Sequence, residues 1–552
     1  MTVRIGLLLN SLVVPSWQRE IILAIITDPK LSIELVVLNN GTDKPAKRRR
    51  AMYKFFMRLD RKLFKVKHDV FGQVSIGDLL AEVEQIKVVP VQNKFATEII
   101  ETDVEAIRRK NLDVLIRFGF GILKGGIQDA ARLGIWSLHH GDSKVNRGGP
   151  PGFWELVNRE PVTGVTLQRL SNDLDGGAVL GKAYLKTDFT SFNRNQNAVF
   201  SAGIELFSGK LKELALAGPQ QFLTNAAESG GSPGFYSYPL YRDPSDYSAL
   251  KIFSGFWLGR IRSSITRLFH SQQWVLLFRF RSAGIDTTIN RYRQIVPPKG
   301  VDWADPFVVC KDEKYFVFFE ELLAGANKAH ISCLIFDSTG KRSPQTPGKV
   351  LEENHHLSYP FVFNWNETWY MIPESGETKR VWLYEAESFP GGWKRCRELI
   401  HEELYDPTPF YHNGLWYLFG TKKPFAGNSP HQYLHIYYAD DLLSGQWQPH
   451  PQNPVSRDIR GSRPAGRIFI HEGRIIRPSQ IGAPKYGYGI QFNEIVTLTP
   501  LEFKEQIWDQ ILPHWRGDLL AAHTFNTDNG MTVLDAQFVR TKLSIFSRRE
   551  NR

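Results

Sequence analysis

Cysteine is scarce in this chain of 552 residues. Its three copies, Cys310, Cys333 and Cys396, are odd in number, far apart and without a C-x-x-C pair, which excludes a disulfide framework and a cysteine-rich zinc module. Long apolar runs are also missing, since none approaches the roughly 18 to 20 uncharged residues that a bilayer requires. The opening run Ile5 to Val14 is interrupted by Asn10 and Ser11, has only Arg4 as an early charge and is followed by no small-residue cleavage site. It therefore reads as a buried first strand rather than a secretory segment. No G-x-G-x-x-G follows that strand and no G-x-x-x-x-G-K-[ST] occurs, which argues against dinucleotide and P-loop folds. The composition present is globular, with 42% hydrophobic and 23% charged residues, and the length implies two or three domains. With neither disulfides nor spans, the expected location is cytoplasmic.

Positive charge is concentrated rather than spread. Eleven Lys or Arg and one acid, Asp60, lie between Lys44 and Lys67, nearly the whole formal excess of +11. From Lys47 to Val66, Met52, Phe55, Phe56, Leu59, Leu63 and Phe64 recur at helical spacing, so the segment reads as a basic amphipathic helix. Residues 44–68 suit peripheral contact with an anionic membrane face or with a phosphorylated substrate, and equally suit a solvated helix packed through its apolar stripe.

The amino-terminal half alternates strand and helix. Val3–Leu9 and Ile33–Leu38 read as strands around a helix Trp17–Ile26; later, a helix Glu101–Lys110 leads to a strand Leu112–Phe118 and a glycine-rich turn, Gly119 to Gly126, into another helix. This pattern predicts a parallel sheet covered on both faces, with a ligand crevice at the carboxyl ends of the strands. Residues 229–247 are rich in Gly, Ser, Pro and Tyr and read as a linker, followed by a helical stretch with Phe256, Ile261, Ile265, Leu268 and Phe269.

Beyond residue 272 the pattern changes to short aromatic strands in repeats. Asp305-Pro-Phe-Val-Val, Tyr359-Pro-Phe-Val-Phe and Asp406-Pro-Thr-Pro-Phe each open a strand, a tight polar turn and a second strand, with weaker copies from Arg463 and His523. Repeat starts 47 to 60 residues apart fit one four-stranded blade each, which predicts a five-bladed β-propeller. The expected organisation is an α/β catalytic domain (1–205), a helical and Gly/Ser/Pro linker (206–271), the propeller (272–545) and a basic tail (546–552).

The densest motif set lies in the first half: Phe118-Gly-Phe-Gly-Ile-Leu, Trp136-Ser-Leu-His-His-Gly-Asp, Asn146-Arg-Gly-Gly-Pro-Pro-Gly, Thr163-Gly-Val-Thr and Leu174-Asp-Gly-Gly. In order and spacing this set resembles the folate-dependent formyltransferases over roughly residues 1 to 200. The resemblance implies 10-formyltetrahydrofolate as donor, His139 and Asp175 in the family's histidine and aspartate positions, and an amine acceptor, here an amino sugar or sugar nucleotide. Amine attack on a formyl carbon creates an oxyanion and releases a proton, so such a site needs a base and donors aimed at oxygen. His139 suits the base and Asp175 its orientation. Phe118, Gly119, Phe120, Gly121, Ile122 and Leu123, with His140 and Gly141, would border the cofactor. One position departs from the family, where Ser137 stands in place of an asparagine whose amide holds the formyl oxygen. Arg147 suits an acceptor phosphate or a loop cap. His139, His140 and Asp142 form a poor metal set, because adjacent residues on an extended chain point to opposite sides.

Ten of the fourteen tryptophans lie from Trp274 onward, which suits both sugar stacking and packing between blades. The repeated Asp-Pro starts resemble five-bladed arabinofuranosidases and related glycoside hydrolases. The region also resembles the amino-terminal propeller of plant glucosamine inositolphosphorylceramide transferases. Asp305 and Asp406 match two carboxylate positions and mark a glycan or acceptor site, whereas Tyr359 and Arg463 break the hydrolase set; Glu320 and Glu374 are candidate acids. The leading expectation is sugar-amine formylation with propeller-assisted recognition. The alternatives are a non-catalytic glycan-binding protein and a glycosidase or glycosyltransferase acting through the propeller. Nucleic acid is disfavoured, since the basic helix is short and no basic stripe follows in the second half.

Overall fold

The computed structural model describes residues 2–41, 50–93, 96–142, 144–172, 177–229, 240–280, 287–344 and 346–541. The chain divides into two units, residues 1–254 with 424–428 and residues 255–423 with 429–552. Among the described residues no helix is long and apolar enough to cross a membrane.

In the first unit the alternating pattern yields β1 (Val3–Leu9), α1 (Ser16–Ile26), β2 (Leu31–Asn39), α2 (Ala51–Leu63), β3 (Gln85–Val88), α3 (Glu101–Arg108), β4 (Val114–Arg117), β5 (Ile135–His139), β6 (Val162–Arg169) and β7 (Ala178–Lys186). These strands form one sheet in the order β7-β6-β5-β4-β1-β2-β3, parallel from β5 to β3 and antiparallel at β6 and β7. Strand order reverses beside β1, so the crevice of the sheet opens where β1 and β4 end. Period-two side chains divide between two cores: Ile5, Leu7, Leu9, Trp136 and Leu138 on one face, and Leu8, Leu35, Val37, Leu115 and Ile135 on the other.

Three local expectations change. The helix after Gly126 is a single 3₁₀ turn, Gly126–Asp129, because β5 begins only a few residues later. The long helix α4 (Phe192–Ser229), broken at Gly218-Pro219, keeps Leu206, Phe207, Leu211, Leu214 and Phe222 in the first core, so the α/β unit extends past residue 205. Within the expected linker, residues 230–239 lie outside the described residues, and α5 (Asp246–Phe269) already begins at 246.

The basic helix is α2, shorter than its expected span, with residues 42–49 outside the description. Its inner face is Tyr53, Phe56 and Asp60 rather than the full apolar stripe: Phe56 stacks on Phe253 at 4.6 Å and Tyr53 meets Phe153 edge-on at 5.6 Å. Asp60, the lone acid, accepts hydrogen bonds from Ser191 Oγ and the Asn193 amide, both at 2.7 Å, and so caps α4. That demand turns Asp60 inward and leaves Phe55 and Leu63 exposed.

The second unit has four antiparallel sheets of four strands, opening with Val301–Lys311, Ser358–Trp365, Tyr405–His412 and Phe469–His471. A fifth sheet joins Phe525–Asp528 and Met531–Thr541 to His270–Phe280 and Arg293–Ile295. Each first hairpin turns through two positive-φ residues, namely Asp312-Glu313, Asn366-Glu367, Asn413-Gly414, Glu472-Gly473 and Asn529-Gly530, the geometry that matches the twist of paired strands. Asp305, Tyr359 and Asp406 share a positive φ and a register shift before their prolines, so three blades begin with the same bulge. The result is the expected five-bladed propeller, with aromatic contacts such as Trp365 against Trp416 at 4.8 Å.

Candidate functional site

The crevice of the first sheet is built by strand ends. Asn10, just past β1, accepts the Phe120 amide at 3.0 Å through Oδ1, while the amides of Phe118 and Gly119 donate to Leu8 O at 3.0 and 3.1 Å. A side chain at Gly119 would meet Asn10 Oδ1 at 2.4 Å, so this loop approaches β1 more closely than a Cβ allows. Phe120 and Gly121 both take positive φ to turn the chain outward.

Along β5, Ser137 and His139 share the face of Ile135. Ser137 is buried, and its Oγ accepts Arg117 Nε at 3.0 Å and Nη2 at 2.8 Å; Arg117 Nη1 donates to Gly121 O. Burial holds the guanidinium pKa below its ordinary value. His139 Nε2 lies 2.9 Å from Asn146 O. A carbonyl only accepts, so Nε2 carries a proton and Nδ1 is the nitrogen left to take one. Asn146 also hydrogen bonds through its side chain to the buried Glu155, whose pKa is raised by burial.

His140 turns the other way. It stacks on Phe200 at 3.7 Å and meets Trp17 edge-on at 5.5 Å, and its buried Nε2 has no partner among the described residues. Burial, aided by the charges of His139 and Arg117, pushes its pKa down to about 3. His140 is therefore a neutral packing residue of the wall behind the site. Asp142 points to Lys182 at 2.5 Å and Tyr184 at 3.2 Å. Burial alone would raise its pKa, but these partners and the Lys144 amide hold it below the carboxylate norm. Thr166, opposite His139 in the sheet, donates to Gly141 O at 3.0 Å and fixes the turn that follows.

Of the expected cofactor border, Phe118 is half-buried against Trp17, Ile122 is exposed, and Phe120 and Leu123 lie in the hydrophobic core. Asp175 lies outside the described residues. The backbone of Arg147 pairs with Leu240, while its side chain is outside the description. Arg117 and Asn10 escaped the motif reading, although each is a polar residue at the carboxyl end of an otherwise apolar strand.

In the propeller, Asp305 and Asp406 both sit where blades begin, and both are fully engaged. Asp305 accepts Thr524 Oγ1 at 2.6 Å and the Tyr359 amide at 3.3 Å, with His523 Nε2 at 3.6 Å. Asp535 accepts the amides of Asp305, His523 and Thr524 at 2.9 to 3.0 Å and lies 2.7 Å from His523 Nδ1. Burial, with Asp406 and other acids adding to it against His523, pushes Asp305 up to about 7. His523 rises to about 9, since Asp535 and Asp305 overcome the opposing effect of burial. Donor atoms of Asp305, His523 and Asp535 lie within 4.8 Å of one another, yet their oxygens are already occupied by hydrogen bonds.

Arg463 fills the place of a fourth-blade carboxylate. It binds Asp406 through Nε at 2.6 Å and Nη2 at 3.0 Å, and Glu374 through Nη2 at 3.0 Å; Gln480 adds a 2.9 Å bond to Asp406. Burial raises the Glu374 pKa well above the carboxylate norm, reinforced by Asp406 against Arg463. Tyr359 is buried, pairing with Thr408 Oγ1 at 2.8 Å and accepting the Gly466 amide at 2.8 Å. Glu320 faces His356 at 3.2 Å instead of joining this cluster. The axial acids thus form a charge-compensated network, a different arrangement from a free acid and base across a bond.

Comparison with known proteins follows this two-part division. Residues 296–513 match the family model "Glucosamine inositolphosphorylceramide transferase 1, N-terminal". The stretch covers the first four blades. Glucosamine inositolphosphorylceramide transferase 1 of Oryza sativa subsp. japonica is 35% identical over 204 residues, 37% of this chain and 27% of that protein. The chain thus spans about a quarter of that relative's length. A methionyl-tRNA formyltransferase of Agathobacter rectalis is 32% identical over 85 residues, 15% of this chain and 27% of that protein. Among solved structures, the catalytic domain of the Coprinopsis cinerea GH62 α-L-arabinofuranosidase covers 48% of this chain and 97% of its own, at 12% identity and a TM-score of 0.31. The chain joins a formyltransferase-like α/β domain to a propeller like that of the glucosamine inositolphosphorylceramide transferases.

Proposed function

We propose that the chain transfers a formyl group to the amine of an amino sugar or sugar nucleotide, with the propeller recognising the glycan part of the acceptor. The observation that carries this reading is His139 at the carboxyl end of β5, its Nε2 committed to Asn146 O and its Nδ1 left as base, beside Ser137. The donor set fits an acyl oxygen: Ser137 Oγ accepts two N–H groups from Arg117 and retains its own hydrogen to donate. 10-Formyltetrahydrofolate would supply the formyl carbon, bordered by Phe118 and Ile122. His139 Nδ1 would take the proton released by the attacking amine, with the Asn146 carbonyl steadying the charged ring, and would return it to N10 of the folate as the oxyanion collapses, the C–N10 bond breaks and tetrahydrofolate leaves. Ser137, polarised by the guanidinium behind it, would donate to the developing oxyanion in place of the family's amide. Asp175 is the family's choice for orienting the histidine.

Support for an amino-sugar acceptor comes from the second unit. Its relatives are named for glucosamine, a sugar with a primary amine, and for inositolphosphorylceramide. The same names favour one second reading, glycosyl transfer involving the propeller.

The test is calorimetry of the full-length protein with 5-formyltetrahydrofolate, followed by single-turnover formylation of amino-sugar nucleotides with His139→Ala alongside. Micromolar binding at one site, with at least a hundredfold slower transfer in the variant, is the expected result. No binding at millimolar ligand would defeat the reading and turn the search to glycosyl transfer.

A further inference from the structure

Helix α5 has two unlike faces. Its first half is anchored inward: Ala249 and Phe253 are buried, Phe253 packs on Phe56 and on Phe192 at 4.6 and 4.9 Å, and Asp246 Oδ1 accepts the Met52 amide at 2.9 Å. The opposite side carries Tyr247, Leu250, Leu258, Ile261, Ile265 and Leu268, exposed by 80, 49, 66, 56, 51 and 70%. Their spacing follows steps of three and four, with Ser254 filling the gap, and places them in one stripe about 80° wide at 100° per residue. Such a stripe normally faces a core, yet this one is open, and from Ile261 to Phe269 the helix is exposed on every side, its apolar and polar faces distinguished by sequence alone.

Charge indicates what covers it. Lys251 and Arg262 border the stripe, Arg260 and Arg267 lie elsewhere on the helix, and its one acid, Asp246, is spent on the Met52 amide. A second copy of the chain would set cation against cation. An anionic bilayer complements both features, taking the leucines and isoleucines at its acyl boundary and the basic side chains at its phosphates.

We propose that α5 is an amphipathic helix that binds the surface of an anionic lipid bilayer through its apolar stripe and the basic side chains beside it. This inference stands independently of formyl transfer. Cosedimentation of the full chain with vesicles of phosphatidylcholine containing about a third phosphatidylserine, against pure phosphatidylcholine, tests it. Expected are at least tenfold tighter binding to the anionic vesicles, weakening in high salt, and at least tenfold loss in Ile261→Asp/Ile265→Asp. Lys251→Glu/Arg262→Glu should remove most of the salt-sensitive part. Should the aspartate pair unfold, Leu258→Ser/Leu268→Ser, at exposed positions that need no burial, gives the same readout. Equal affinity for the two vesicle types, no binding to either, or unchanged binding in a folded stripe variant would overturn the proposal. It would also fall if the free chain sediments as a dimer that Ile261→Asp/Ile265→Asp converts to monomer without altering vesicle binding.

Discussion

Replacing Arg463 by methionine tests the reading of the propeller axis as a compensated network. The guanidinium makes four close contacts, two to Asp406, one to Glu374 and one through Nη1 to His431 Nδ1 at 2.5 Å, with Arg463, Asp406 and Glu374 buried. Methionine preserves much of the volume but strands two carboxylates, and removing one partner of a buried pair costs about 3–5 kcal/mol. For a unit of this size that lowers Tm by roughly 6–20 °C. Calorimetry would show it as a shift of one transition, leaving that of the α/β unit in place. Adding Asp406→Asn and Glu374→Gln to Arg463→Met should recover most of the loss, because neutral side chains no longer require the cation. If Arg463→Met unfolded within about 1 kcal/mol of the parent, or if the triple variant were no better than the single one, the compensation argument would fail.

Alkali should weaken the propeller through its buried axial groups. His523, raised from 6.5 to about 9, contributes stability that is complete below pH 6.5 and lost as pH rises through 9, about 3 kcal/mol in all. Asp305, raised to about 7, adds to this loss between pH 3.8 and 7. His140 in the α/β unit and His435 in the propeller, both lowered to about 3 by burial, contribute stability present above pH 6.5 and lost as pH falls towards 3, so calorimetry at pH 9.5 should weaken the propeller transition while pH 4 draws on a buried histidine in each unit. Ser137→Ala should slow formyl transfer by about a hundredfold to a thousandfold while leaving folate binding within a few-fold; equal losses in both would refute its role as an oxyanion donor. Gly119→Ala forces a Cβ to within 2.4 Å of Asn10 Oδ1 and should cost about 1–3 kcal/mol together with folate affinity, read by denaturation and calorimetry. An unshifted denaturation midpoint would contradict the close approach.

Much of the architecture was legible because its signals are periodic. Buried parallel strands read as continuous apolar runs, and the Asp-Pro starts with their tight turns recur often enough to count blades. What escaped was rotation and partnership. Nothing in the spacing of Met52 to Phe64 shows that Asp60 must turn inward to cap a helix more than a hundred residues later. The pairing of Arg117 with Ser137 was equally hidden, since two strands adjacent in the sheet lie twenty residues apart in sequence. Arg463 was visible as a break in a carboxylate pattern, but its meaning required seeing Asp406 and Glu374 converge on it.

The pairing of His270–Phe280 with Met531–Thr541 has a consequence for how the chain is made. Four blades complete their own sheets from neighbouring sequence, whereas the fifth waits for a strand synthesised some 270 residues after its partner. During translation the edge of His270–Phe280 remains open, a template for unwanted pairing, until the last hairpin emerges. Closure is then the slowest contact to form and the one that a shortened carboxyl terminus would abolish. Removing Met531–Thr541 should therefore yield aggregation rather than a smaller, folded propeller.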